Sequence, residues 1–210
     1  MNPQVQRMMG AIYRDRVFRM AAAYRSAKAP FDLEIEQTHR DIAAYDEDTK
    51  ANPPGPQDFD EETGFQYDYG EALGERLDDA NDALNNLRKA FAIVAYHTWE
   101  RGALRWFAHG KKKPIHDDLI QAFAASPYAF DEDGLRDLKD LVNCLKHNST
   151  TSGPALWKNR PDLFKPGFNP NTINPITNKP PSSVDWEGEI MLVDSNMDAF
   201  FGVVRASSPK

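Results

Sequence analysis

Residues 73–107 read LGERLDDANDALNNLRKAFAIVAYHTWERGALRWF, and the spacing of their apolar residues sets the expected architecture. Leu73, Leu77, Ala80, Leu84, Leu87, Phe91, Val94 and Thr98 follow one another at alternating steps of four and three. One face of an α-helix presents such a seam to partner helices. Counting on by three and then four lands on Arg101 and Arg105, so the seam ends in two arginines. Around it, Ile93, Tyr96, Trp99, Leu104 and Trp106 make residues 91–107 apolar on nearly every side, which predicts a central, buried helix. Run unbroken from Tyr67 to His109 it would reach roughly 60 Å, with Gly70 and Gly74 as places for an early break.

On the N-terminal side, Val5, Met8, Met9, Ile12, Val17, Met20 and Ala23 recur at helical spacing and predict a helix over residues 3–27. Pro30 is read as punctuation, and a second helix is expected over residues 32–45, carrying Leu33, Ile35, Ile42 and Tyr45. Asn52-Pro53-Pro54-Gly55-Pro56 marks a surface loop. No internal repeat or extended low-complexity tract is present.

On the C-terminal side, a short helix is expected over residues 117–125, closed by Ser126-Pro127. Asp131-Glu132-Asp133 then opens another, with acids where the helix dipole favours them. Leu135, Leu138, Leu141, Val142 and Leu145 form its apolar face; Arg136, Asp140, Asn143 and His147 fall in one stripe opposite. Seven prolines between 154 and 181 leave little room for regular structure before Gly188. Beyond it, Glu189 to Val193 reads as a short strand, and Asp194 or Ser195 caps a last helix carrying Met197, Phe200, Phe201 and Val204. Trp157, Leu163 and Phe164 are expected to pin the proline-rich stretch onto the helices. The expected fold is therefore mainly α: a helical bundle over residues 1–148 with a long central helix. A proline-rich loop and strand-helix appendage over residues 149–210 packs on the same domain.

The chain of 210 residues is 40% hydrophobic and 27% charged, within the range of globular proteins. It has no apolar run long enough to span a bilayer and no secretory leader at its start, so a cytoplasmic protein without a membrane partner is expected. Cys144 is the single cysteine, and no pair of histidines stands at metal-ligand spacing; no metal or cofactor is expected. The net charge of −7 argues against a general nucleic-acid binder. Two local basic groups, Lys111 to Lys113 and Lys158 with Arg160, leave room for a basic cleft, although a solvated loop is the plainer account.

No phosphate-binding glycine loop or nucleophile elbow is present. The run Leu141-Val142-Asn143-Cys144-Leu145-Lys146-His147-Asn148 resembles the motif helix of the HEPN superfamily of helical nucleases and their inactive relatives. There an arginine, often followed by a polar residue such as asparagine, precedes a histidine by four to six intervening residues. Trp99-Glu100-Arg101 followed by Trp106, the Lys146-His147 step and Asn159-Arg160-Pro161-Asp162-Leu163-Phe164 are similar to bacterial proteins of this kind. The resemblance covers roughly residues 80–165 and implies a homodimer whose motif helices face one another. Asn143 matches the polar position and His147 the histidine. The motif's arginine would stand at Val142, Leu141 or Asp140, and none of these is an arginine.

Metal-independent RNA cleavage needs a base for the 2′-hydroxyl, an acid for the leaving oxygen and cations for the crowded phosphate. His147 suits either proton role. Arg101 is the candidate to replace the missing arginine, and Asn143 to orient the phosphate or the imidazole. Lys146 and Arg105 are candidate substrate-binding residues. Each has a plainer reading. A histidine near a helix C-terminus suits the negative dipole end, and Arg101 and Arg105 can pair with an acid such as Glu100 or Asp140 and seal the core. The stripe of Arg136, Asp140, Asn143 and His147 then becomes a solvated face, and Cys144 a small packed residue. Two functions remain open: an RNA-cleaving or toxin-like component of a stress or phage-defence system, and a non-catalytic assembly or sensing module that binds a protein partner.

Overall fold

The computed structural model describes residues 3–53, 55, 57–59, 62, 64, 66–107, 114–173 and 183–210. Among them the chain is mainly α, as the periodicity predicts. Helices α1 (Pro3–Ala51) and α2 (Tyr69–Trp106) are joined through a two-stranded hairpin, β1 (Gln57–Phe59) and β2 (Gln66–Asp68). Then come α3 (His116–Ala124), α4 (Glu132–His147), α5 (Ser152–Asn159), a 3₁₀ turn (Pro161–Leu163), α6 (Trp186–Glu189) and α7 (Asp194–Ala206). The chain forms two compact units, Met1–Ala23 with Arg88–Lys210, and Tyr24–Leu87. None of the helices is long and apolar enough to cross a membrane among the described residues.

In the smaller unit, α1 runs straight through Pro30, where a break was expected. A proline removes one backbone donor and crowds the carbonyl four residues earlier. Pro30 is exposed, so water can serve the Ser26 carbonyl that loses its donor. The hairpin pairs Gln57 with Asp68, Asp58 with Tyr67 and Phe59 with Gln66 in antiparallel register. Its second strand leads directly into α2. Asp68 accepts from the Tyr45 hydroxyl at 2.7 Å and from the Gly70 backbone N–H at 2.8 Å. The Tyr45 hydroxyl lowers the Asp68 pKa and the same contact raises that of Tyr45.

Along α2 the buried positions differ from the expected seam. Leu73, Leu84, Ala95 and Trp106 are all buried and stand eleven residues apart. An undistorted helix advances 3.6 residues per turn, so a heptad count slips by about 20° per repeat. Over four heptads the slip carries Val94, Arg101 and Arg105 out of the packed face, and all three are exposed. Ala92, Tyr96, Trp99 and Ala103 take their place inside. The apolar character of residues 91–107 is thus mostly satisfied within the chain.

The core of the larger unit is built around Trp99 and Phe123, whose rings stack at 6.0 Å, with Leu119, Leu135, Leu138 and Leu141 fully buried. Asp131 caps α4 by accepting from the Gly134 N–H. Pro154 does not prevent α5, because it falls in the first turn, where no backbone donor is needed. Gly153 is required there by close approach: a Cβ would come within 2.2 Å of the Trp186 indole. The strand expected over 189–193 is reduced to one antiparallel bridge, Ile190 to Phe164, after the single turn of α6. Leu163 and Phe164 are buried and the Trp157 and Phe164 rings meet at 5.4 Å, which pins the 149–173 stretch as expected. Lys111 to Lys113 and His109 lie outside the described residues.

Candidate functional site

Helix α4 places the motif residues. Its apolar face buries Leu135, Leu138, Leu141, Val142 and Leu145, and Cys144 sits among them. Burial pushes the Cys144 thiol up to about 12, which keeps it a neutral packing group. Val142, the first of the positions where the motif's arginine would stand, is 2% exposed and packed into the core. An arginine there would be an unpaired buried charge, not a phosphate ligand.

The opposite stripe splits into three separate arrangements. Arg136 holds Glu132 at 2.7 Å and lies 3.8 Å from Asp117. Asn143 donates from its amide to the Ser152 hydroxyl at 3.2 Å, and Ser152 donates to Asp140 at 2.8 Å. This chain of bonds ties α4 to the start of α5. His147 and Lys146 end the helix, both exposed, and no hydrogen bond or ion pair holds either among the described residues. The next residue, Asn148, adopts a left-handed backbone (φ 45°, ψ 49°) and accepts from the Trp186 backbone N–H at 2.7 Å. The end of the motif helix is therefore a junction with α6.

Arg101 and Arg105 lie elsewhere. In the larger unit α1 and α2 run antiparallel: Tyr13 meets Trp106 ring to ring at 4.8 Å, while Met20 lies beside Thr98. Between them is a groove of about 230 Å³ with an apolar floor of Met9, Tyr13, Gly102 and Trp106. Arg16, Arg101 and Arg105 also line it, with their side chains exposed. No acid or carbonyl holds any of the three among the described residues, which corrects the expectation that Arg101 and Arg105 are paired inside the bundle. Glu100, one acid expected to pair with them, contacts His97 at 3.0 Å instead. Among the described residues no hydrogen bond or ion pair brings His147, Asn143 or Lys146 together with Arg101 or Arg105, and the groove that the two arginines line includes none of the three.

In the second basic group Arg160 is neutralised. Arg160 forms a bidentate pair with Asp162 at 2.8 and 2.7 Å, approaches Asp137 at 3.8 Å and lies over the Phe200 ring. The Asn159 to Phe164 run is accordingly a staple between α4, the 3₁₀ turn and α7.

Two features escaped the sequence reading. Arg16 and its neighbours Met9 and Ile12 recur at a spacing of three and four, but only the antiparallel register of α1 and α2 brings them to Arg101. The other is His116, which opens α3 and is buried against Tyr96 and Trp99, its Nδ1 3.1 Å from the Tyr96 hydroxyl. Burial, helped by the Lys139 charge, lowers its pKa to about 4. Its Nε2 and the Trp99 Nε1 are both buried without a partner among the described residues. No three metal-ligating side chains converge among those residues.

A scan against protein-family models, a search of curated proteins and a search of solved structures each return no match to this chain.

Proposed function

We propose that the chain is a non-catalytic, HEPN-like assembly or sensing module that acts in the cytoplasm by binding a protein partner. The observation that carries this reading is the sealing of the motif helix. Val142 is buried where a catalytic cation would be needed, and the Asn143 amide donates to Ser152, which in turn donates to Asp140. Among the described residues no hydrogen bond or ion pair ties a cation from another element to His147, so the electrostatic help that phosphate transfer requires is not supplied there. A broad panel of single-stranded and structured RNAs, incubated with the purified chain in excess, tests this. The expected result is no cleavage, identical for wild type and His147→Ala. Cleavage abolished by His147→Ala would overturn it.

The second reading is a metal-independent ribonuclease of a stress, toxin–antitoxin or phage-defence system, with His147, Asn143 and Arg101 catalytic and Lys146 and Arg105 binding RNA. One observation favours it: Lys146 and His147 are adjacent and open to solvent. Its site would have to be completed across the homodimer that the resemblance implies. Light scattering at high protein concentration tests that assembly, and a monomer removes this route.

A further inference from the structure

Resting on the binding-module reading, we propose that the groove between α1 and α2 receives an amphipathic helix of the partner, with its apolar stripe flanked by acidic residues. The floor is the first ground. Met9, Tyr13, Gly102 and Trp106 offer almost only carbon, and Gly102 lets the two rings pack closely on α2, since a Cβ there would come within 2.8 Å of the Trp106 ring and 3.2 Å of Tyr13. At about 230 Å³ the cavity lies below the range of about 300–1,000 Å³ common for whole small molecules. That size suits one or two anchoring side chains.

The surroundings are the second ground. Val5, Met8 and Ile12 recur at three and four residues on α1, and all three stand exposed, Ile12 at 60%. They prolong the apolar surface past the cavity to a length of roughly 16 Å, about three helical turns. A helix laid in a groove uses anchors at this spacing.

Charge identifies the occupant. The chain has 32 acidic and 25 basic residues, so acids for pairing are in excess. Arg88, Arg136 and Arg160 each have a carboxylate within 3 Å. Arg16, Arg101 and Arg105 have none among the described residues, and all three line the same groove. Three cations beside an apolar floor complement an apolar stripe with acidic flanks. A second copy is disfavoured, because a two-fold contact is isologous and would set one arginine rim against the other. RNA is disfavoured because a phosphate backbone would leave Val5, Met8 and Ile12 uncovered.

The test uses the full chain and two labelled helical peptides of about 18 residues. Both carry leucines at i, i+3, i+4 and i+7; one has glutamates on the flanks and the other lysines. Fluorescence anisotropy should show the Leu/Glu peptide binding at least about tenfold more tightly than the Leu/Lys peptide, with the preference shrinking at high salt. The Arg101→Glu/Arg105→Glu double variant should reverse the preference, and Arg16→Glu should weaken it. All three side chains are exposed, and unchanged circular dichroism will confirm that the variants fold. Equal binding of the two peptides, or a preference that survives in the double variant, overturns the proposal. So does a self-association that the double variant abolishes, or an oligoribonucleotide that binds more tightly than the Leu/Glu peptide and is lost in the variant. RNA cleavage dependent on His147 sinks the non-catalytic reading without touching the peptide preference, so the two failures are distinguishable.

Discussion

His116 opens α3 and His147 closes α4, and the two histidines have opposite surroundings. His116 is enclosed by Tyr96 and Trp99, with one ring nitrogen bonded and the other without a partner among the described residues. His147 stands exposed at the end of a helix whose last buried residue is Leu145. A sequence motif drew attention to the second; the environment that perturbs a histidine surrounds the first. Residue type and spacing identify what a side chain can do, whereas burial and neighbours set what it does.

The largest effect expected from this contrast is acid destabilisation through His116. Its folded pKa, about 4, lies below the unfolded value of 6.5, chiefly because burial disfavours the cation. Lys139 and Arg136 add to the lowering, while Asp117 and Glu132 oppose it. The unfolded chain therefore takes up the proton first as pH falls. The stabilisation is complete above pH 6.5 and is lost on the way down to pH 4, by about 3 kcal/mol at most. Urea unfolding of wild type and His116→Phe between pH 7 and pH 4 isolates this part from the carboxylates common to both. Wild type should lose more stability than the variant across that window. Parallel acid profiles would show that His116 is solvated, and the contrast between the two histidines would fail.

Much of the fold was legible because its driving pattern is local. The helical periods of α3, α4 and α7 appear where their apolar residues predict, and the acids at 131–133 open α4 as the helix dipole favours. The departures share a cause. Pro30 and Pro154 are tolerated because one faces water and the other falls where no donor is required, and neither circumstance can be read from the letter alone. On α2 a count by sevens and a count by elevens agree over two turns and diverge by Val94. The arginine-lined groove was half visible: Arg101 and Arg105 stood out at the end of the seam, yet Arg16 lies 85 positions away and joins them only through helix pairing. His116 gave no signal beyond its residue type, because its burial depends on Trp99 and Tyr96 from another helix.

A smaller effect is expected at the middle of the motif helix. Ser152→Ala removes the hydroxyl that accepts from Asn143 and donates to Asp140, leaving two half-buried polar groups to find water. The cost should be about 1–2 kcal/mol, seen as a lower urea midpoint with an unchanged slope. Asn143→Ala on its own should cost less. Combined with Ser152→Ala it should add little more, since both changes break the same chain of bonds. Additive losses would mean that Asn143 works independently of Ser152, and its place in that chain of bonds would have to be given up.

The smallest effect is expected at His147 itself. The side chain touches no partner among the described residues, and its backbone belongs to a helix end already fixed by Asn148 and the α6 junction. What it can contribute is a weak interaction with the negative end of α4, screened by the water around it. His147→Ala should therefore shift stability by no more than about 0.5 kcal/mol. The same substitution of Asn148 should cost more, because it removes the acceptor of the Trp186 N–H and the residue type that tolerates a left-handed backbone. Thermal melts of the two variants side by side make the comparison direct. If His147→Ala proves the more damaging, the imidazole has a contact beyond those among the described residues, and its place as a side chain without a structural role would have to be given up.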